Sequence, residues 1–216
     1  MPEELLYGRQ QQIHLDIPAS VTIAGVGGVG FWMAVDMAMS GVPTLYLFDP
    51  DVVEESNRNR LPFCQGSVGR PKVEATKDFI LAIRQDAIVV AIQDKLEGVL
   101  LGIQLQVCSL IMDGTDSPRA QIMLYNLCKE RGHTYIRCGY DGTRFTVTST
   151  VSGWIKCAEE EQYVTAPSWV VPAQVAAALA VGKALKYHNQ EVSLDLEEIG
   201  IPLLKKQQRL TKRCGV

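Results

Sequence analysis

A glycine-rich turn between a strand and a helix is the feature that most constrains the fold of this chain. Residues 21–24 read Val-Thr-Ile-Ala and predict a buried strand, while residues 29–40 predict a helix. Between them lies GVGGVG, residues 25–30. Glycine permits positive φ and a close approach of the backbone to a phosphate, and the helix N-terminus that follows offers unpaired N–H groups. The turn is therefore predicted to bind a nucleotide.

Short β-prone runs alternate with helical stretches along the rest of the chain. Asp141-Gly142 lies between the β-prone residues 136–140 and 144–151, which predicts a hairpin. We therefore expect an α/β fold with a Rossmann-like mixed sheet, mostly parallel with a late antiparallel hairpin and with helices on both faces. Further strands are predicted at residues 44–48, 87–92, 106–112, 135–138 and 192–196, and helices at 71–84, 95–102, 118–131 and 170–187.

The composition favours a single domain with a buried core. Of the 216 residues, 47% are hydrophobic and 21% are charged. We expect one domain over residues 1–216, with an N-terminal arm at residues 1–18 and a basic tail at residues 205–216. The net charge of -3 argues against a general nucleic-acid binder, whose surface is basic.

Three further patterns indicate a cytoplasmic protein. Every apolar run of about 18 residues is interrupted by charge, so no membrane span is expected. The first four residues, MPEE, are acidic rather than basic and apolar, which is unlike a signal peptide. The six cysteines form no CxxC pair, so they are expected to be reduced thiols.

Acidic and basic residues follow the predicted strands, where an open α/β sheet binds its ligands. Asp49 closes the second strand and could accept hydrogen bonds from ribose hydroxyls, which by itself favours a nicotinamide dinucleotide. Lys72 stands in the first turn of a predicted helix, where the helix dipole disfavours a cation. An anion sharing the site would explain that lysine. We therefore expect Arg60 and Lys72 to neutralise phosphate charge, which a plain dehydrogenase does not need.

Four motifs occur in order: GVGGVG, FDPDVVEESNRNRL, VGRPKVEA and DGTDSPRA. Together they resemble the E1-like superfamily of ThiF/MoeB/HesA-type adenylyltransferases, which are related to the activating enzymes of ubiquitin-like proteins. The resemblance runs from about Tyr7 to Gly153. It implies a reaction in which a carboxylate attacks the α-phosphorus of ATP, pyrophosphate leaves and an acyl adenylate forms. The acceptor would be the C-terminus of a small protein or peptide, or a small-molecule acid.

The resemblance also implies a role for each matching residue. Asp49 would bind the ribose hydroxyls and Asp51 would line the phosphate–metal region, whereas Asp116 would hold Mg²⁺. Arg9, in a segment similar to the family's RYxRQ, would reach the ATP of the partner subunit in a homodimer. The residues that would contact the ATP phosphates are Gly25, Gly27, Gly28, Gly30, Asn57, Arg60 and Lys72.

The chain also departs from the pattern of its family. The two CxxC pairs that hold zinc in many bacterial relatives are absent, so no zinc is expected. Leu61 stands where the family usually has glutamine. Cys157 is a candidate acyl acceptor, but the neighbouring residues 159–161 are all glutamate and would raise the pKa of its thiol.

Two other functions remain open from the sequence. One is a non-catalytic nucleotide-binding scaffold of the same fold, and the other is a NAD-dependent dehydrogenase that shares the glycine turn. Arg60, Lys72 and Asp116 together argue against both, because neither needs a triphosphate clamp with a magnesium carboxylate.

Overall fold

The computed structural model describes residues 6–95, 108–151, 167–188 and 192–195 of the chain. Three predictions lie outside the described residues: the helix at residues 95–102 beyond its first residue, the thiol of Cys157, and the basic tail at residues 205–216.

The described residues form one seven-stranded sheet with the spatial order β3-β2-β1-β4-β5-β6-β7. Strands β1 to β5 are parallel to one another, whereas β6 is antiparallel to both β5 and β7. The strands are β1 (Ser20–Ala24), β2 (Thr44–Phe48), β3 (Ile88–Ile92), β4 (Leu110–Asp113), β5 (Thr134–Asp141), β6 (Arg144–Thr148) and β7 (Val192–Asp195).

Helices cover both faces of this sheet. The helices are α1 (Gly28–Met39), α2 (Lys72–Ile83), α3 (Pro118–Arg131) and α4 (Val170–Leu185). Successive strand residues point to opposite faces, so that Leu47 joins the core beneath α1, α2 and α4, while Phe48 packs with Leu124 of α3. The larger core contains Phe31, which makes edge-to-face contacts with Trp32, Phe63 and Phe79.

The predicted fold class is confirmed, and so are the predicted late hairpin and most element bounds. The strand predicted at residues 135–138 continues to Asp141, because its last residues pair with β6. The predicted loop between β2 and α2 contains two short 3-10 helices, Glu55–Asn59 and Gln65–Ser67. None of the described helices is both long and apolar enough to cross a membrane.

Candidate nucleotide-binding site

The glycine turn lies where the order of the sheet reverses. It follows β1, which pairs with β2 on one side and with β4 on the other. The chain passes from β1 to β2 in one direction and later returns to β4 in the other, which leaves a crevice at the carboxyl ends of the strands. Open α/β sheets bind their ligands in such a crevice.

Three glycines of the turn differ in the space around them. Gly25 has a φ of +75°, a left-handed conformation that favours glycine, and its N–H donates to the oxygen of Phe48 at 2.7 Å. A Cβ on Gly30 would lie 1.7 Å from the backbone oxygen of Gly25, so no side chain fits there. A Cβ on Gly27 would meet no atom within 4 Å. Gly27 caps α1, so the open space lies beside the N–H groups that begin this helix.

The side chain of Asp49 is hydrogen-bonded to the glycine turn. Its side chain is buried, its Oδ2 accepts a hydrogen bond from the N–H of Val26 at 2.8 Å, and its Oδ1 accepts from the N–H of Asp51 at 2.9 Å. Burial raises the pKa of Asp49, and the charge of Lys72 opposes this shift. Because each carboxylate oxygen carries two lone pairs, the group retains acceptor capacity for ribose hydroxyls.

Lys72 is paired with Asp51 within the chain. Its Nζ lies 2.8 Å from Oδ2 of Asp51, and its N–H donates to the oxygen of Asp51 at 2.9 Å. The Lys72 side chain is only 12% exposed, whereas that of Asp51 is 63% exposed. The anion that balances this lysine is therefore a residue of the protein itself, and the pair lies on the side of the site that begins α2.

Arg60 lies beside the first residue of α1. A Cβ on Gly28 would meet Cδ of Arg60 at 3.1 Å and its Nε at 3.3 Å. The Nη1 of Arg60 donates to the oxygen of Ser56 at 2.9 Å and to Oδ1 of Asn59 at 3.0 Å. These two bonds leave further N–H groups of the guanidinium for an anion at the helix N-terminus.

Asn57 shapes the loop that carries Arg60. Its side chain is buried, its Oδ1 accepts from the N–H of Glu54 at 3.1 Å, and the two residues form a reciprocal cap on the short helix Glu55–Asn59. Leu61 follows this loop and is buried in the main core. A leucine in place of the family's glutamine therefore adds packing at this position.

Asp116 is exposed on the loop between β4 and α3. This loop contacts the glycine turn directly, because the N–H of Gly114 donates to the oxygen of Ala24 at 2.8 Å and a Cβ on Gly25 would lie 3.2 Å from the nitrogen of Thr115. No group of three or more metal-ligating side chains occurs within the described ranges. One carboxylate suits Mg²⁺ when substrate phosphates and water supply the other ligands.

Arg9 does not join this group of residues. The N-terminal arm packs at the far end of α1, where the ring of Tyr7 lies against Gly41 and Nε2 of Gln10 donates to the oxygen of Ser40 at 2.6 Å. The rise of 1.5 Å per residue puts that end of the helix about 17 Å from Gly28. The exposed side chain of Arg9 is therefore remote from the glycine turn of its own chain.

Two hydroxyl groups near the turn were missed from the sequence. The Tyr140 hydroxyl would lie 2.8 Å from a Cβ on Gly28, and it is hydrogen-bonded to the hydroxyl of Ser168. The oxygen of Ser168 accepts from Nδ2 of Asn59 at 2.8 Å, which connects the hairpin and the start of α4 to the Arg60 loop. The position of Tyr140 near the end of a predicted strand was the signal that could have identified it.

Comparison with known proteins assigns the family. The model of the ThiF family matches residues 6–199. The chain belongs to the ThiF family. The E1-like resemblance of its four motifs is thereby confirmed, and the glycine turn, Arg60, Lys72 and Asp116 lie in a ThiF-family domain.

Curated relatives of this ThiF-family chain include enzymes of different kinds. It is 28% identical to ubiquitin-like modifier-activating enzyme 5 of Rattus norvegicus, over 72% of this chain and 41% of that protein. It is 28% identical to tRNA threonylcarbamoyladenosine dehydratase of Escherichia coli K12, over 66% of this chain and 54% of that protein. The chain thus spans about half the length of these relatives.

Solved structures share the ThiF-family fold at lower identity. PaaA superposes with a TM-score of 0.71 at 23% identity, over 91% of this chain and 71% of that one. E. coli MccB, crystallised with ATP, superposes with a TM-score of 0.68 at 21% identity, over 83% of this chain and 61% of that one. At these identities the likeness shows the fold alone.

Proposed function

We propose that this protein is an ATP-dependent adenylyltransferase that activates a carboxylate as an acyl adenylate. The observation that carries the proposal is the grouping of charged residues about the glycine turn: Arg60 lies beside Gly28, the Asp116 loop contacts Gly25, and Asp49 connects the Lys72–Asp51 pair to Val26. This edge of the site offers helix N–H groups, two cations and one metal-binding carboxylate. These are the groups that a triphosphate requires and that a hydride-transfer cofactor does not.

The chemistry suits a site without a general base. The attacking group is a carboxylate, which is already ionised at neutral pH. Its oxygen forms a bond to the α-phosphorus of ATP while the bond from that phosphorus to the bridging oxygen breaks, so pyrophosphate leaves with the electron pair. No proton has to move in this step. The protein therefore has to position the two reactants and neutralise the charge on the leaving group.

We assign the positioning of ATP and the neutralisation of its charge to particular residues of the site. Asp49 accepts hydrogen bonds from the ribose hydroxyls while it holds the turn through Val26, and the N–H groups that begin α1 bind phosphate oxygens. Arg60 and Lys72 bind the leaving pyrophosphate, and Lys72 exchanges its bond to Asp51 for bonds to phosphate. Asp116 would hold Mg²⁺, which supplies charge neutralisation of the triphosphate.

The position of Arg9 supports a homodimeric enzyme. The side chain lies at the end of α1 away from its own turn, so it contributes to catalysis only if it reaches another subunit. A two-fold dimer would place each arm at the site of its partner, since an isologous interface is reciprocal. Arg9 would then add a third cation to the triphosphate clamp.

The relatives support the class of acceptor without naming it. Ubiquitin-like modifier-activating enzyme 5 is named for the activation of a ubiquitin-like modifier, a further relative is the SAMP-activating enzyme E1 of Haloferax volcanii, and one structure of MccB contains ATP. We therefore propose a carboxylate acceptor, either the C-terminus of a small protein or peptide, or a small-molecule acid.

Two measurements test the proposal. Calorimetry with the full-length protein compares ATP plus Mg²⁺ with NAD, and we expect binding of ATP and little or none of NAD. Exchange of labelled pyrophosphate into ATP is then screened over candidate acids, from peptides and ubiquitin-like proteins to small carboxylates. Tight NAD binding without ATP binding would establish the dehydrogenase alternative, and ATP binding without exchange for any acid would favour the scaffold.

A further inference from the structure

A buried hydrogen-bond network lies beneath the loop that carries Asp116. Its centre is Asp113, the last residue of β4, whose side chain is 0% exposed. Oδ1 of Asp113 accepts hydrogen bonds from the N–H of Thr115 at 2.9 Å and from its Oγ1 at 2.7 Å. Oδ2 accepts a hydrogen bond from the hydroxyl of Tyr135 at 2.6 Å. Both oxygens of this carboxylate are therefore committed to fixed partners.

The other side of Thr115 is held from α3. Nε2 of Gln121 donates to the oxygen of Thr115 at 2.6 Å, while its buried Oε1 has no hydrogen-bond partner within the described ranges. A buried acceptor without a hydrogen-bond partner lowers the free energy of unfolding, so fold stability alone does not explain a glutamine at position 121. The N–H, the oxygen and the hydroxyl of Thr115 are all fixed by side chains of β4 and α3.

Thr115 is in turn packed against the glycine turn. A Cβ on Gly25 would lie 3.2 Å from Cγ2 of Thr115, and a Cβ on Gly114 would lie 3.1 Å from the nitrogen of Gly30. Because the hydroxyl of Thr115 is directed at Asp113, its methyl group faces the turn. The network thus fixes one residue that touches the phosphate-binding turn and immediately precedes Asp116.

The charges of the network indicate a role beyond packing. Arg137 lies opposite Asp113 in the register of β4 and β5, and its side chain is also buried. Replacing buried ionic groups by apolar ones is often neutral or stabilising, so such a cluster is weak evidence for stability. Its hydrogen bonds instead converge on the Thr115 turn, at the edge of the sheet where ligands bind.

We propose that Asp113, Tyr135 and Gln121 are positioning residues that hold Thr115 so that Asp116 meets the Mg²⁺ ion of a bound triphosphate. This inference rests on the proposed function, because it requires ATP to bind at the glycine turn. The three residues do not touch the substrate themselves.

The test measures how strongly Mg²⁺ improves ATP binding in the full-length protein. Calorimetry gives the Kd of ATP in the presence of EDTA and in the presence of Mg²⁺, and the ratio of the two values is the metal enhancement. The variants are Thr115→Val, which removes the hydroxyl at nearly constant volume, and Tyr135→Phe, which removes one donor to Asp113. Cys128→Ala is the matched control, since Cys128 is buried in the same apolar cluster and lies outside the hydrogen bonds to Thr115.

We expect the metal enhancement to fall by about tenfold in Thr115→Val and Tyr135→Phe, as for other residues that orient metal ligands. ATP affinity in EDTA should stay near that of the wild type, and Cys128→Ala should keep the full enhancement even if its thermal stability falls. Wild-type enhancement in both variants would overturn the inference and leave the proposed function intact. A wild-type protein that binds no ATP would overturn the proposed function and the inference together.

Discussion

The indole Nε1 of Trp32 donates a hydrogen bond of 3.1 Å to the backbone oxygen of Arg60. Trp32 stands one helical turn after Gly28 on α1, so this bond ties the Arg60 loop to the helix whose N-terminus faces the open side of the glycine turn. The bond fixes the backbone from which the Arg60 side chain extends relative to the helix N–H groups. It therefore connects the two parts of the phosphate site.

Replacing Trp32 by phenylalanine should weaken the binding of ATP. The substitution keeps an aromatic ring against Phe31 and removes a hydrogen bond that contributes about 1 kcal/mol, so we expect the Kd of ATP with Mg²⁺ to rise about fivefold. Calorimetry measures this Kd, and thermal unfolding is measured in parallel. A lower Tm with an unchanged Kd would show that the bond stabilises only the fold.

Alanine substitutions at two glycines of the turn should affect different properties, stability at Gly30 and ATP binding at Gly27. Gly30→Ala places a methyl group 1.7 Å from the oxygen of Gly25, so we expect a loss of about 3 kcal/mol of stability or a failure to fold. Gly27→Ala points into open space at a φ of −74°, so its fold should be retained. Because that space is where phosphates would lie, ATP binding should nevertheless fall. Chemical denaturation and calorimetry separate the two effects, and wild-type ATP affinity in Gly27→Ala would contradict the assignment of this space.

Removal of the Asp116 carboxylate should abolish adenylate formation without unfolding the protein. The side chain is exposed, so Asp116→Ala should change the free energy of unfolding by less than about 0.5 kcal/mol. Pyrophosphate exchange with an identified acid gives the activity. Glu130→Ala, an exposed carboxylate at the other end of α3, is the control and should remain active. Full activity of Asp116→Ala with Mg²⁺ would mean that another group holds the metal.

Subunit mixing tests the role assigned to Arg9. Arg9→Ala and Lys72→Ala should each be inactive alone, because each lacks one cation of the clamp at both sites. In a mixed dimer one site would regain both residues, so about a quarter of wild-type exchange activity is expected from random mixing of equal amounts. Native mass spectrometry verifies that mixed dimers form. If they form and remain inactive, Arg9 does not act across the interface.

Asp36 in α1 should make the protein less stable as the pH rises towards neutrality. Burial raises the pKa of Asp36 from 3.8 to about 6. Between about pH 4 and pH 6 the unfolded chain has already lost the proton that the folded chain retains, so stability falls through this window and levels off above it. Asp36→Asn should lack this decline and be more stable than the wild type at pH 7.5, by up to about 3 kcal/mol.

Denaturant unfolding at several pH values between about 2 and 7.5 measures the effects of Asp36 and of the comparison residue. The comparison variant is Asp86→Asn, because bonding to Arg84 lowers the pKa of exposed Asp86 to about 2. Asp86 thus contributes stability above about pH 4 that is lost as the pH falls towards 2, which is the opposite dependence. An identical pH slope in wild type and Asp36→Asn would show that Asp36 ionises normally in the folded state.

The parts of the site that follow from local sequence were predictable. Gly30 must be glycine because of a contact five residues away, and Asp49 follows the strand that pairs with β1. Such features depend on one strand, one turn and one helix, and their periodicity is visible in the sequence. The bounds of α3 were predicted to the residue, since Pro118 starts it and Gly132 ends it in the left-handed conformation.

The parts that depend on distant contacts were not predictable. Ser168 approaches Tyr140 across 28 positions and Asn59 across 109, and no local pattern records either contact. The sequence predicted that Lys72 shares its site with a bound anion. In the structure Lys72 forms an ion pair with Asp51, because the bridge between Val52 and Pro71 brings the two segments together. The cap made by Asn57 likewise exists only because its loop coils into a short helix.

The contact between Gly25 and Gly114 means that substitutions in two parts of the site should have different kinds of effect. Where the two turns meet, the surfaces are largely main chain, and a single added carbon at Gly30 would collide with backbone that cannot rotate away. On the opposite side, Arg60 and Lys72 are long side chains held by individual hydrogen bonds. Substitutions where the two turns meet should therefore either leave the fold intact or prevent folding. Substitutions of Arg60 and Lys72 should instead yield a graded series of ATP affinities.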